Sequence, residues 1–494
     1  MDNLDQFKSW SQELTHLRGI SSVLAWDQEV IMPPLGAEFR AQQRATLAGI
    51  AHSKLVDPAL SELLNELENE DLQELDQANL RELRRQHEKA IRVPEALVRE
   101  LAEVSAIAYE HWVRARRDSD FPVFEPWLSR IIELKKEEAR CIALAGSAYE
   151  TLMDEFEPLA KESQLEAVFS KVRPRLIELL QRIDSAPVRP KSLEGVYPVT
   201  EQDVFGRKIL TSMGFDWQAG RLDTSPHPFC VGLTPTDVRI TTRHTESDFS
   251  RALFGMIHEG GHGLYEQGLD EANYGLPVCD STSLGMHESQ SRLWENQIGR
   301  SRSFWEHWYP QLRKVFPGQL DHLSLDEFVL AINQVSPSLI RVEADEVTYG
   351  LHIIMRYEIE KGLISGKINA ADLPDVWDSK MEEYLGIRPS NAADGVLQDT
   401  HWSQGLIGYF PTYLLGNLYG AQLLNTASKE IPELDSQIRS GNMLELKEWL
   451  RVNVHSSGRT LSAADLISKI TGEDLSADYF LDYLDEKYSE LYRL

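Results

Sequence analysis

Cysteine is scarce in this chain. Its 494 residues include three, Cys141, Cys230 and Cys279. The odd number and wide spacing suggest neither a disulfide framework nor a cysteine zinc site, and fit a reducing cytoplasm. Positive charge is short as well. Fifty Lys and Arg against 78 Asp and Glu leave a net charge of −28, which argues against nucleic acid and anionic membrane surfaces as partners. It does not argue for a basic partner, since a solvated acidic surface has the same composition. No run approaches the roughly 18 apolar residues needed to span a bilayer. Met1-Asp2-Asn3-Leu4-Asp5 has no basic stretch leading into an apolar core, so no secretory signal is expected. Low-complexity tracts and internal repeats are missing too.

What remains is an ordinary globular balance, 42% hydrophobic and 26% charged, on a chain too long for one simple core. Residues 1 to about 185 read as helix after helix. Asp57-Pro58 is a helix start, followed by Leu60, Leu63, Leu64 and Leu67 at helical spacing. Pro94 opens another, with Leu97, Leu101, Val104 and Ala108 on one stripe. An earlier segment, Leu24 to Pro34, breaks at its prolines and carries no evident chemistry. From 186 to 244 prolines interrupt helices. Phe229 to Leu233 and Val238 to Arg243, separated by Thr234-Pro235-Thr236-Asp237, read as a small β-hairpin, whose edge could take an extended peptide by strand addition. Helices return as Leu284 to Arg300, Leu325 to Val335, Arg341 to Lys361 and Tyr479 to Leu494. Residues 386 to 412 read as a functional loop.

The chemistry centres on His258-Glu259-Gly260-Gly261-His262. On a helix, residues four apart share a face, so both imidazoles can reach one metal ion. Glu259 is rotated by about 100° from His258 and lies beside the metal, where a general base is needed. Such a match arises by chance in roughly one chain in a hundred, so the flanks decide. Thr245-Glu246-Ser247-Asp248 reads as a capping box, and Ala252, Leu253, Phe254, Met256 and Ile257 would bury a face. Gly255, Gly260 and Gly261 cost helix stability and hint at an extended ligand running close to the backbone. Catalytic zinc needs a third protein ligand and an open position. Glu266, Asp270, Glu271, Asp280, His287, Glu288 and Glu295 are the candidates, and periodicity does not choose among them.

Six motifs carry a resemblance over essentially the whole chain. They are His227-Pro228-Phe229, Asp237-Val238-Arg239-Ile240-Thr241, His258-Glu259-Gly260-Gly261-His262, His287-Glu288-Ser289-Gln290, Ile340-Arg341-Val342-Glu343-Ala344-Asp345, and Gly395-Val396-Leu397-Gln398-Asp399-Thr400-His401-Trp402. In this order they resemble the carboxypeptidase Taq family of zinc metallocarboxypeptidases. The resemblance implies a mainly α, many-helix fold of the gluzincin type, with a long central groove and the small hairpin ahead of the zinc helix. One peptidase domain, 1–494, is expected, with 1–185 as a helical subdomain on one side of the groove and 186–494 as the catalytic part. The resemblance also implies Glu288 as third ligand to one Zn2+ per chain, for which Co2+ is a substitute, and a homodimer.

The activity so implied is removal of single residues from the free C-terminus of peptides, with Glu259 as general base. His401 and Tyr413, with Tyr409 behind, are the expected donors to the oxyanion. Related helical zinc oligopeptidases are similar in placing a tyrosine about a dozen residues past a histidine. A substrate carboxylate calls for an arginine fork. Arg341 ranks first and Arg239 second, against ion pairing with Asp345 and Asp237 respectively. His227 is a further substrate-side candidate. Two alternatives use the same features: a zinc endo-oligopeptidase, and a non-catalytic helical peptide-binding scaffold. An intact Glu259 argues against the scaffold.

Overall fold

Near the N-terminus a cap starts one helix and a pair of prolines follows the end of another. In the computed structural model, which describes residues 2–494, Asp57 accepts a hydrogen bond from the Ala59 amide at 2.9 Å and Pro58 opens the helix Pro58–Leu67. Its four leucines are buried, packed with Phe7, Leu14, Leu80 and Leu83. The long first helix, Asn3–Val30, ends before Pro33 and Pro34. Among the described residues there are twenty α-helices and one three-stranded sheet. None of these helices is long and apolar enough to cross a membrane.

The chain divides into two units, each assembled from three stretches. The first comprises Met1–Ile91, Lys191–Ile332 and Leu423–Asp474, and the second Arg92–Pro190, Asn333–Gln422 and Leu475–Leu494. The expected helical stretch 1–185 contributes to both.

The first unit holds the sheet. Its strands are β1 (Gly220–Thr224), β2 (Cys230–Thr234) and β3 (Asp237–Thr242), in the order β1-β3-β2. β2 and β3 form the expected antiparallel hairpin, with a register shift between Gly232 and Thr234. β1 runs parallel to β3, pairing Leu222 with Ile240. Hairpin periodicity gave no sign of it, because its partner is distant in sequence. Leu222, Val238 and Ile240 are buried, and Ile240 lies against the helix that follows, near Gly263.

That helix, Phe249–Gly268, carries both histidines. Ala252, Leu253, Phe254, Met256 and Ile257 are all buried, as their spacing requires. The expected capping box is corrected. Asp248 is the cap, accepting from the Ser250 amide at 2.8 Å. Thr245 instead forms an isolated bridge with Asp248, and its carbonyl accepts from Gln202.

The glycines also read differently. A Cβ on Gly261 would lie 2.6 Å from the Gln290 carbonyl oxygen and 2.8 Å from Ser291 Cα. One on Gly260 would lie 2.3 Å from Leu210 Cδ2. These two glycines admit neighbouring protein and not a ligand. Gly255 faces open space. The neighbour at Gly261 is the helix Leu284–Arg292, capped by Ser283, which continues as a π-helical turn, Leu293–Ile298. The expected single helix is thus two kinds of helix in sequence.

In the second unit, Glu95–Asp118 buries Leu97, Val104 and Ala108 of the expected stripe and leaves Leu101 half-buried. Arg341 does not begin the long helix. Arg341–Glu343 is a separate 3-10 turn. The helix proper, Glu346–Ser365, starts at Asp345, which accepts from the Val347 and Thr348 amides. Asp345 is therefore a cap and not the partner of Arg341.

The two glycines predict opposite outcomes. Gly261→Ala forces two backbones apart and should lower stability by roughly 1–3 kcal/mol, with weakened metal binding. Gly255→Ala has room and should be neutral or stabilising by up to about 1 kcal/mol. Thermal unfolding of both variants, with and without metal, checks the pair.

Candidate metal centre

On the helix Phe249–Gly268, His258 and His262 sit one turn apart, their rings 4.9 Å between centroids. Glu288 reaches them from the helix packed at Gly261. Its Oε2 is 3.6 Å from His258 Nε2 and 3.3 Å from His262 Nε2. Four-coordinate zinc with ligands at about 2.0–2.1 Å needs donors roughly 3.3–3.4 Å apart, so the three atoms fit one tetrahedral ion. All three donor atoms lie within 4.8 Å of one another, and among the described residues this is the one His, Cys, Asp and Glu group that could hold a metal ion.

Two of the three candidate ligands are oriented by neighbours. Glu295, on the π-helical turn, meets His258 Nδ1 at 2.8 Å and so leaves Nε2 facing the other two donors. Arg292 donates to Glu288 Oε1 at 2.7 Å, leaving Oε2 towards the histidines, and Ser291 Oγ donates to Oε2 at 2.9 Å. Arg300 lies 3.4 Å from Glu295. The other candidate ligands are engaged elsewhere. Glu266 pairs with His287 Nε2 at 2.8 Å, Asp270 caps Ala272, and Asp280 pairs with Arg459. Glu271 sits on a short exposed turn.

Protonation follows from burial and from this crowding of acids. Burial pulls the His258 pKa down, but Glu288 and Glu295 outweigh it and raise it to about 9. His262 goes the other way, to about 3, through burial and the His287 ring stacked 4.4 Å away. Its Nδ1 is buried without a hydrogen-bond partner. Glu259 is buried beside the ligands, and burial raises its pKa to about 7, with Glu288 and Glu295 adding to the rise.

Arg239, also in the first unit, forms a two-pronged pair with Asp237 at 2.9 Å for each prong. Its guanidinium lies 4.4 Å above the Trp26 ring. Trp26 comes from the proline-terminated segment that gave no chemical signal in the sequence. His227 is exposed, and its carbonyl accepts from Ser225 Oγ at 2.6 Å.

The remaining candidates lie together in the second unit. His401 Nε2 is 3.3 Å from the Tyr413 hydroxyl, and the Tyr409 ring lies against both. Arg341 is 5% exposed and donates to Asp399 at 2.9 Å. Arg356 takes the other oxygen of Asp399 at 2.7 Å. Burial, with Arg341 and Arg356 nearby, lowers the His401 pKa to about 4 against the pull of Asp399, so His401 is neutral at pH 7. Asp399 and Arg356 were not singled out from sequence, although Asp399 stands two residues before His401 in one of the six motifs.

The family model described as Carboxypeptidase Taq (M32) metallopeptidase matches residues 6–488. The chain belongs to this family. It is similar to thermostable carboxypeptidase 1 of Thermus thermophilus, 42% identical over 99% of this chain and 98% of that protein. Carboxypeptidase 1 of Bacillus subtilis is 37% identical over the same shares. Among solved structures, the M32 carboxypeptidase from Deinococcus radiodurans R1 superposes with a TM-score of 0.97 at 37% identity, covering 100% of both chains. As a family member the chain is a metallocarboxypeptidase, a peptide hydrolase that uses a divalent metal.

The charge state of His258 makes metal binding a protonation event. At pH 7 its raised pKa leaves it protonated in the metal-free protein, and a ligand must be neutral. Binding should therefore release at least about one proton, and affinity should rise with pH from 7 towards 9. Calorimetric titration in two buffers of different ionisation enthalpy measures the released protons directly. Binding without release would contradict the charge state given to His258.

Proposed function

We propose that this metallocarboxypeptidase removes single residues from the free C-terminus of peptides, with one zinc ion per chain held by His258, His262 and Glu288 and with Glu259 as general base. The observation that carries the reading is the convergence of three donor atoms beside a buried carboxylate that is not one of them. Two imidazoles and one carboxylate are a catalytic zinc set, and Co2+ suits the same donors. When bound, zinc polarises the scissile carbonyl and acidifies the attacking water. Glu259 takes the water proton and passes it to the leaving amine, a role suited by a pKa held well above the ordinary carboxylate range. His401 and Tyr413, a neutral pair in mutual contact, are our choice of donors to the carbonyl oxygen as it gains charge, with Tyr409 packed beside them.

For the substrate carboxylate, the two arginines differ in what they would give up. Asp399 is buried between two guanidiniums, and removing a partner from a buried pair is costly. Asp237 is 42% exposed and can be left to water. We therefore put Arg239 ahead of Arg341, with His227 as a further contact on the substrate side. The homodimer is proposed on the family resemblance alone. The cytoplasmic setting is supported by three cysteines that are all unpaired.

One peptide in two forms, with a free C-terminus and with a C-terminal amide, tests the reading by mass spectrometry. Stepwise loss from the free form only, stopped by a chelator, is expected. Internal cleavage of both would point to an endo-oligopeptidase. Glu259→Gln should keep its metal and lose at least about a hundredfold in kcat; substantial remaining turnover would remove Glu259 from the role. Arg239→Ala should raise KM for the free peptide by roughly tenfold or more, as loss of a charge-assisted fork requires, and a larger effect from Arg341→Ala would restore the order expected from sequence.

A further inference from the structure

His401 lies on irregular backbone, and Tyr413 in the first turn of the helix that follows it. A 3-10 turn spans His401–Gln404, Gly405 and Gly408 are left-handed at φ +71° and +91°, and the next helix begins only at Pro411. A segment without a ladder of its own needs other partners for its polar groups, and the donors around it point at one side chain.

We propose that Glu360 is a positioning residue for peptide hydrolysis, a buried carboxylate that gathers three hydrogen bonds and so fixes the segment running from His401 to Tyr413 and, through it, the place of the Tyr413 hydroxyl. This rests on the reading that those two residues act on the substrate. Glu360 lies on the helix Glu346–Ser365 and has no exposed surface. Its Oε1 accepts from Trp402 Nε1 at 2.9 Å. Its Oε2 accepts from the Gly408 amide at 3.0 Å and from the Tyr149 hydroxyl at 2.8 Å. Trp402 follows His401, and Gly408 stands just before Tyr409, so the carboxylate holds the irregular stretch at both ends. Gly408 is pinned from its other side too, since a Cβ there would lie 2.8 Å from the Met153 amide nitrogen. None of the three donors is a cation, so an electrostatic clamp does not account for the arrangement. What the site requires is two acceptor oxygens in one plane. Glutamine supplies one acceptor and turns an NH2 towards the remaining donors. The change therefore disturbs the hydrogen bonds while keeping the volume.

The test measures kcat, KM and metal content on one free-acid peptide for the wild type, Glu360→Gln, Tyr413→Phe and the double variant. A small displacement of an oxyanion donor should lower kcat by roughly tenfold with KM within about twofold and metal content unchanged. If Glu360 acts through Tyr413, the double variant should be no slower than Tyr413→Phe alone. A Glu360→Gln variant with wild-type kcat, or one that loses the same factor in the Tyr413→Phe background, overturns the proposal while leaving the oxyanion reading in place. A Tyr413→Phe variant with wild-type kcat removes the tyrosine from the reaction, and the proposal falls with it. Should Glu360→Gln not fold, Tyr149→Phe removes one donor from the same carboxylate. Its expected loss in kcat, about twofold to threefold, should likewise vanish in the Tyr413→Phe background.

Discussion

The metal centre depends on how closely two helices approach. At Gly261 the backbone of Phe249–Gly268 meets the backbone of Leu284–Arg292 at Gln290 and Ser291, with no side chain between them. Helices separated by ordinary side chains lie about 8–10 Å apart, and a glutamate is short. The glycine contact is what lets Glu288 bring one oxygen within 3.3 Å of His262. Arg292, one turn further along, then takes the other oxygen. The same helix passes into a π-helical turn that delivers Glu295 to the far nitrogen of His258, in keeping with the tendency of such turns to occur at functional sites. Two histidines, two glutamates and an arginine are thus placed by a single close contact.

Buried carboxylates do comparable work in the second unit, by different means. Asp399 sits between Arg341 and Arg356 and carries their charge. Glu360 is surrounded by an indole, a phenol and a peptide amide. Each is costly to bury alone and tolerable once its lone pairs are filled. Each also gathers groups from separate parts of the chain. The irregular stretch that follows Asp399 needs such anchors, because beyond one 3-10 turn it has no helix or sheet to satisfy its backbone.

These features set what a reader of the sequence could reach. The HExxH helix, the Asp57-Pro58 start and the β2–β3 hairpin were legible because each is local. Capping, periodicity of 3.6 and periodicity of two act over a few residues. Glu288 was one of seven acids or histidines until the family motif singled it out, because what separates it from Glu266 or Asp280 is a helix contact that periodicity does not encode. The glycines of the motif were misread for the same reason: a missing side chain looks alike whether a ligand or a neighbouring helix needs the space. β1 was invisible because its partner is remote. Asp248 displaced Thr245 as the cap because the chain at Thr245 is tied to Gln202. Arg341, ranked first for the substrate carboxylate, is in an ion pair, the alternative weighed against that role, but with Asp399, more than fifty residues on, while Asp345 is drawn off by the helix it caps. Glu360 had no signal at all, being one acid on a helix otherwise read as core.

The charges around the candidate metal ligands make the site suited to a cation. Two carboxylates, Glu259 and Glu288, are buried there, and a third, Glu295, is half-buried. Arg292 and Arg300 are the fixed cations acting on them, and both lie on the Glu288 and Glu295 side. With His258 beside them as well, Glu295 falls to a pKa of about 2 and Glu288 well below the ordinary carboxylate range, so both remain ionised in the metal-free protein. The unmet negative charge falls on His258, which holds a proton well above its ordinary range, and on Glu259, which burial and its acidic neighbours keep partly protonated near neutrality. Those protons occupy the electrostatic place of the ion. A divalent cation between the same donors reverses both conditions, because its charge is the largest in the site. It favours the neutral imidazole and the ionised carboxylate. The state of Glu259 that the proposed general base needs is therefore the one a bound metal favours, and the burial that raises its pKa also suits it to that proposed role.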